Sequence, residues 1–341
     1  MIPVIICGGV GSKMWPLSSP EHPKHFLPLI NGKSLFELNW ENLRKRFEAD
    51  EIYLQTNAQQ AEIAKRLVPE IVTENVFVEP EMRNQGPATG LAAALLAKKG
   101  KNDEPFFLVQ VDNLRVPGEN LFKMMDMAEK LGKESHKYIT GGFVPERFIK
   151  GVDFLLEGDL VEEQDGVKIF KVAEYVDRNE GEKIEGNLNS GKLLVHANHT
   201  CMTPNDLLSM YQKYRPDWYE PLNNIVNGGD VTVEYAKMPK GAIEEITKQV
   251  HAKGESLVIE LPFEWTDFGT WESLEKYYKA NNIETKNGGV KEIEVEGNFC
   301  VSDNQKKIAI IGINNVIVVE GDDGILICRK DLTGRVGEVT A

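Results

Sequence analysis

Apolar and polar positions alternate in two rhythms along this chain. Near the N-terminus, Ile5-Ile6-Cys7 is a short apolar run that ends in Gly8, Gly9 and Gly11. Such a run, bounded by glycines, reads as a buried first strand of a parallel sheet. From Ser34 to Phe47 apolar residues recur at Leu35, Phe36, Leu38, Trp40, Leu43 and Phe47, the spacing of an amphipathic helix. Residues 52–56 predict a second strand, 58–67 a helix that ends near Pro69, and 76–78 a third short strand. Residues 90–99 are alanine-rich and helical, and 106–111 form a buried strand that stops at Asp112. This alternation predicts right-handed βαβ units on a mostly parallel sheet. Further on, 204–211 reads as a helix capped by Asn205 or Asp206, 257–261 as an apolar strand, and 272–278 as the start of a closing helix. The pattern then changes. A polar linker, 281–289, precedes short apolar or alternating runs at 290–295, 299–301, 308–311, 316–319 and 325–328, separated by glycines. The expectation is an α/β domain over 1–280 and a small all-β domain over 281–341.

The candidate chemistry falls at the carboxyl ends of the first strands, where ligands of such sheets bind. Glycines there let the backbone turn tightly, and their exposed N–H groups make a nest for phosphate oxygens. Lys13 and Lys24 add two cations within reach of the same loop, beside Ser12. The spacing is neither G-x-G-x-x-G nor G-x-x-x-x-G-K-[ST], which argues against dinucleotide and P-loop readings. Asp112, directly after an apolar strand, is placed to hold a hard cation such as Mg²⁺, although a turn cap is the simpler local reading. Net charge sharpens this picture. With 39 basic and 53 acidic residues the chain carries −14, which argues against nucleic acid or an anionic membrane as partner. An acidic protein that handles phosphate must concentrate its cations locally, often with a metal. No apolar run reaches the length that spans a bilayer, and there is no basic-then-apolar leader. Cys7, Cys201, Cys300 and Cys328 are scattered without C-x-x-C spacing, as expected for reduced thiols in a cytoplasmic enzyme.

The stretch Gly8-Gly9-Val10-Gly11-Ser12-Lys13-Met14-Trp15-Pro16-Leu17-Ser18, followed by Pro23-Lys24-His25-Phe26-Leu27, resembles the signature of sugar-nucleotide pyrophosphorylases. The likeness is greatest to the mannose-1-phosphate guanylyltransferase branch, with Lys13 standing where that family carries arginine. Such a change keeps the charge and loses the bidentate fork. Glu79-Pro80-Glu81-Met82-Arg83-Asn84-Gln85-Gly86-Pro87-Ala88 resembles the family loop beside the nucleobase, which implies nucleotide contacts at Glu79, Asn84 and Gly86. Trp265-Thr266-Asp267-Phe268-Gly269-Thr270-Trp271 resembles the family's W-x-D-x-G-x-W, so Asp267 is the implied partner of Asp112 in holding Mg²⁺. The resemblance further implies a Rossmann-like, glycosyltransferase-A-like sheet flanked by helices, with a β-helix-like C-terminal domain. That domain would dock on the catalytic one or join subunits of a homodimer.

The acceptor side departs from the family. Gly151 fits, but Asp153 replaces a glycine. Glu174 fits a sugar-hydroxyl acceptor, while the lysine that would meet the sugar phosphate has become Tyr175. Lys150, Lys171 or Arg178 would have to replace it. An ungapped match puts His196 on the sugar-binding asparagine, and a two-residue shift restores Asn198 instead. Glu234, in Val233-Glu234-Tyr235, is a sugar contact or an ordinary helix glutamate. His196, His199 and Cys201 bring three metal-ligand types within six residues. Strand alternation turns 196 away from 199 and 201, so pocket-lining groups or a buried histidine are the better readings.

The resemblance thus implies Mg²⁺-assisted transfer between GTP and a sugar 1-phosphate, with mannose 1-phosphate as the first expectation. Lys13, Lys24, Asp112 and Asp267 would be the catalytic set. The altered pocket leaves two alternatives open: a different sugar 1-phosphate, or a non-catalytic sensor of nucleotides on the same fold.

Overall fold

The computed structural model describes residues 1–9, 11–149, 151–283, 289–302 and 307–340, with the side chains of all of these except Trp265 and Asp267. The strands are β1 (Ile2–Ile6), β2 (Tyr53–Thr56), β3 (Val76–Val78), β4 (Phe106–Gln110), β5 (Asn113–Val116), β6 (Tyr138–Phe143), β7 (Phe154–Gln164), β8 (Val167–Val176), β9 (Leu193–His196), β10 (Cys201–Met202), β11 (Ser256–Glu260), β12 (Glu264–Asp267), β13 (Val290–Ile293), β14 (Phe299–Ser302), β15 (Ile308–Ile311), β16 (Val316–Gly321) and β17 (Gly324–Arg329). The helices are α1 (Leu35–Leu43), α2 (Ala58–Leu67), α3 (Gln85–Lys98), α4 (Asn120–Ser135), α5 (Gly181–Asn187), α6 (Pro204–Tyr214), α7 (Pro216–Val226), α8 (Val231–Tyr235), α9 (Glu244–Ala252) and α10 (Trp271–Ala280).

The expected βαβ half is present. Strands β3, β2, β1 and β4 lie side by side and parallel, with Ile5 opposite Leu54 on one side and Val109 on the other. Apolar side chains on both faces explain why these strands read as continuous hydrophobic runs. One face packs on α1, α2 and α4 through Phe36, Trp40, Leu43 and Met124. The other packs on α3, α6 and α7. Here α3 comes unusually close: a Cβ on Gly86 would sit 2.3 Å from the Trp218 ring, and one on Gly90 2.5 Å from Leu222.

Beyond β4 the sheet becomes mixed, which the expectation of a mostly parallel sheet did not contain. The short β10 is antiparallel to β4, and β6 follows. The long antiparallel hairpin β7–β8 joins β9 on one side and β11 on the other. Because β11 also pairs with β6, strands β6, β9, β7, β8 and β11 close into a ring. Helix α3 starts at Gln85 rather than near residue 90. Asn84 enters at φ 72°, and Pro87 falls in the first turn, where no N–H is needed. The cap of α6 is Thr203, whose hydroxyl accepts from the Asp206 N–H at 3.1 Å; Pro204 takes the first helical position, so Asn205 and Asp206 lie already inside the helix.

The C-terminal strands form two stacked parallel pairs, β13 with β15 and β14 with β16, closed by β17 antiparallel to β16. One of their faces closes on a small core of its own, Cys300, Ile310, Val316 and Val318, and the other is shared with the rest of the chain. Phe299, Val301, Ile317, Val319, Leu326 and Val336 share one cluster with Met14, Ile30, Leu35, Phe268, Trp271 and Leu274.

The core carries four buried histidines: His25, His196, His199 and His251. Burial lowers His25 and His196 from 6.5 to about 4, and pushes His199 and His251 well below 6.5. Their folded values lie below the unfolded one, so the unfolded chain takes up protons first as pH falls. His25 and His196 should each withdraw about 3 kcal/mol of stability between pH 6.5 and 4. The urea midpoint should fall steeply over that interval; a midpoint independent of pH there would contradict these placements.

Candidate active site

The glycine loop leaves β1 with the Cys7 N–H bonded to Gln55 O at 2.9 Å. Gly9 and Gly11 have φ of 82° and 77°, a region that side chains make costly. The loop's carbonyls are tied backwards: Gly9 O accepts from Gln60 Nε2 at 3.1 Å, and Gly11 O accepts from Ser18 Oγ at 2.7 Å. Among the described residues, the N–H groups of Gly8, Gly9 and Gly11 donate to no backbone acceptor. These amides at the mouth of the sheet thus stay unengaged by the backbone of the described residues, as an anion nest requires. Gly11 is doubly constrained, because a Cβ there would stand 2.4 Å from Lys24 Cγ.

Lys24 lies over this loop and reaches across the sheet to Asp112, with Nζ 3.1 Å from Oδ2. Burial works against ionisation of Asp112, but the Lys24 ammonium overcomes it and holds the carboxyl below its usual range. Beside this pair is a cleft of about 390 Å³ lined by Gly8, Gly9, Lys24, His25, Glu79, Asn84, Gln85, Gln110 and Asp112, among others. The cleft thus unites the glycine loop, the Glu79–Asn84 loop and the end of β4. Asn84 has φ 72° and ψ 176°, a region almost reserved for glycine, and is exposed at the N-terminus of α3. Burial raises Glu79, and the Tyr235 hydroxyl, 2.5 Å from Oε1, opposes that shift.

Asp267 is in β12, where its backbone pairs with Asn113, and the Phe268 N–H bonds Asp112 O at 3.3 Å. Its side chain lies outside the described residues. The backbone nevertheless brings 112 and 267 together, and an ionised Asp112 beside a second aspartate suits Mg²⁺, which takes one or two carboxylates plus substrate oxygens. Among the described residues no group of three or more His, Cys, Asp or Glu is placed to hold a metal.

The other expected site residues are scattered. Ser12 and Lys13 are exposed, and Gly337 of the C-terminal 3₁₀ segment packs against them: a Cβ there would be 3.0 Å from Ser12 Oγ and 3.7 Å from Lys13 Cγ. Trp15 and Leu17 close on Gly324 and Gly321 of the β16–β17 turn, and the Trp271 indole N–H donates to Trp15 O at 3.0 Å. Gly86 is buried against Trp218, so close packing alone requires glycine there. Gly151 is exposed, with φ 83°. Glu174 pairs with Lys183 of α5, and Glu234 with Lys237 and Asn224. Tyr175 stacks on His251 with the rings 13° apart. His196 is buried and bonds Thr140 Oγ1 at 3.1 Å. Asn198 comes nearest to the cleft: its carbonyl accepts from Gln110 Nε2 and its amide donates to Glu244. Of the substitutes for the missing lysine, Lys150 lies outside the described residues and Lys171 pairs with Asp159. Arg178 is held by both oxygens of Asp153 at 3.0 and 2.5 Å.

Gln60 and Tyr235 were missed by sequence reasoning. Gln60 sits inside a helix pattern like any surface glutamine, and nothing along the chain links Tyr235 to Glu79.

Residues 2–147 match the nucleotidyl transferase family, and 290–341 match the MannoseP isomerase/GMP-like beta-helix domain. The chain is similar over nearly its whole length to two mannose-1-phosphate guanylyltransferases. One, from Salmonella muenchen, is 25% identical over 349 residues, covering 99% of this chain and 72% of that protein. The other, from Klebsiella pneumoniae, is 25% identical over 340 residues, covering 97% and 71%. The chain carries a nucleotidyl transferase domain over 2–147 and is similar along its length to the mannose-1-phosphate guanylyltransferase branch. It is an enzyme of the nucleotidyltransferase class. The fold agrees: a Thermus thermophilus structure described as a mannose-1-phosphate geranyltransferase superposes with a TM-score of 0.82 at 21% identity, covering 99% of this chain and 98% of that one. The beta-helix match gives the C-terminal strand pairs their architecture.

Replacing Gly11 by alanine should displace Lys24 and strain the loop. Strain of this kind, one to a few kcal/mol, should weaken nucleoside triphosphate binding by about tenfold in calorimetry. Unchanged binding would contradict the part given to the loop.

Proposed function

We propose that this nucleotidyltransferase makes GDP-mannose from GTP and mannose 1-phosphate, releasing pyrophosphate. The observation that carries the reading is the cleft itself, where the loop amides, Lys24 and Asp112 face the Glu79–Asn84 loop. The names of the relatives support the substrates.

A phosphate oxygen of the sugar 1-phosphate attacks the α-phosphorus of GTP, and the bond from that phosphorus to the pyrophosphate oxygen breaks. The Gly8, Gly9 and Gly11 amides with Lys13 and Lys24 spread positive charge along the triphosphate. Asn84 and Gln85 offer amide groups to the base, with Glu79 held by Tyr235. Asp112 would hold Mg²⁺ with Asp267 as its expected partner, and the metal would supply Lewis acidity to the phosphates. Among the described residues of the cleft, Lys24 Nζ is engaged by Asp112 at 3.1 Å, and Cys7 and His25 are poorly suited to covalent catalysis. Burial raises the Cys7 thiol well above its usual range, and His25 Nε2 is engaged by Gln60 Oε1 at 3.2 Å. The rate then comes from positioning and charge neutralisation.

A different sugar 1-phosphate is the second reading, favoured by the pairing of Glu174 with Lys183 and of Arg178 with Asp153. Pyrophosphate release with Mg²⁺, each of four nucleoside triphosphates and a panel of sugar 1-phosphates separates the two. The expected result is release with GTP and mannose 1-phosphate, and loss of at least about 100-fold in Asp112→Asn with folding intact. Release with another sugar alone would replace the acceptor, and a fully active Asp112→Asn would remove that residue from the site.

A further inference from the structure

The turn that carries Asp112 is held at each of its peptide carbonyls. Arg115 Nη2 donates to Gln110 O at 3.4 Å. Asn39 Nδ2, from α1, shares its two N–H groups among Leu35 O of its own helix at 2.9 Å, Val111 O at 3.2 Å and Asn113 O at 3.1 Å. The Phe268 N–H takes Asp112 O, and Arg115 Nη1 adds a second donor to Asn113 O at 3.4 Å. Asn39 and Arg115 also bind each other, Nη1 to Oδ1, at 2.9 Å. Both side chains are more than nine-tenths buried, Asn39 6% and Arg115 7% exposed.

Arg115 is unusual in a second way. A buried guanidinium is costly unless a carboxylate lies against it. Among the described side chains no carboxylate is within ion-pair distance and none bonds its Nε, although the Asp112 charge acts on it through space. Burial lowers its ionisation only to about 10, so the charge persists at neutral pH. A buried, unpaired cation below the floor of an anion-binding cleft is hard to explain as packing, since an apolar residue of the same volume would serve the core better.

We propose that Arg115, with Asn39, is a positioning residue for nucleotidyl transfer: it fixes the backbone on both sides of Asp112 and sets a permanent positive charge beneath the phosphates. This rests on the reading of Asp112 as the residue that faces metal and triphosphate. Residues that orient a metal-binding carboxylate characteristically change affinity or activity by about 10- to 100-fold when removed.

The test uses the full chain with Arg115→Met, Arg115→Lys, Asp112→Asn and the double variant Arg115→Met/Asp112→Asn. Arg115→Met, which takes a donor from Gln110 O and Asn39 Oδ1, should fold with a lowered melting temperature and lose about 10- to 100-fold in kcat with GTP and mannose 1-phosphate. It should bind Mn²⁺ in the presence of GTP, followed by electron paramagnetic resonance, about tenfold more weakly. Arg115→Lys, which keeps the charge and loses the fork, should recover part of kcat. Should Met prevent folding, the lysine variant carries the test through the same two readouts, falling between parent and Asp112→Asn. If Arg115 acts through Asp112, the double variant is no slower than Asp112→Asn alone. Parent-like kcat and Mn²⁺ binding in Arg115→Met, with Asp112→Asn inactive, would overturn the proposal and leave the site assignment standing. A fully active Asp112→Asn would instead overturn that assignment and the proposal with it.

Discussion

One ion pair across the parallel sheet, Lys24 to Asp112, organises the rest of the site. It joins two segments 88 positions apart, the loop after β1 and the turn after β4. Its geometry dictates the residue at position 11, since only glycine leaves room for the lysine stem. It also keeps the half-buried Asp112 ionised, outweighing the desolvation of its carboxyl. A carboxylate already charged and already neutralised needs little rearrangement to exchange its lysine partner for a metal, while the lysine turns to phosphate. In the proposed reaction the resting pair and the loaded site are two arrangements of the same charges.

The loop that supports this pair is held from behind by the C-terminal module. Trp15, Pro16 and Leu17 read along the sequence as part of a phosphate-binding signature, yet they pack on the β16–β17 turn and on Trp271. The second half of the signature is therefore a docking surface. It ties the orientation of Ser12 and Lys13 to a shared apolar core of Met14, Val336 and their neighbours. The strands after residue 289 thus have a small apolar cluster of their own and a second one in common with the rest of the chain.

Much of this was legible in the sequence where the signal is local. The parallel half declared itself through short apolar runs ending in glycine or aspartate, because both faces of those strands are covered. The residues gathered in the cleft, Gly8, Gly9, Lys24, Glu79, Asn84 and Asp112, each sit in the segment that follows such a run. The mixed ring was not legible, since β7 and β8 are amphipathic over much of their length and the ring closes only through β11, far along the chain from both, which pairs antiparallel with β8 and parallel with β6. For the same reason Glu174 and Glu234, which match motifs, gave no hint that lysines would engage them. Asn39, Gln60, Arg115 and Tyr235 act through partners distant in sequence, and no spacing rule exposes such residues.

The central claim is a single displacement at the α-phosphorus, made by positioned charges without a covalent enzyme intermediate. The most direct test is the stereochemical course with a single diastereomer of guanosine 5′-(1-thiotriphosphate) and mannose 1-phosphate. Inversion of configuration at the α-phosphorus is the predicted result. Retention would mean two displacements through an enzyme-bound nucleotide, and would contradict the account.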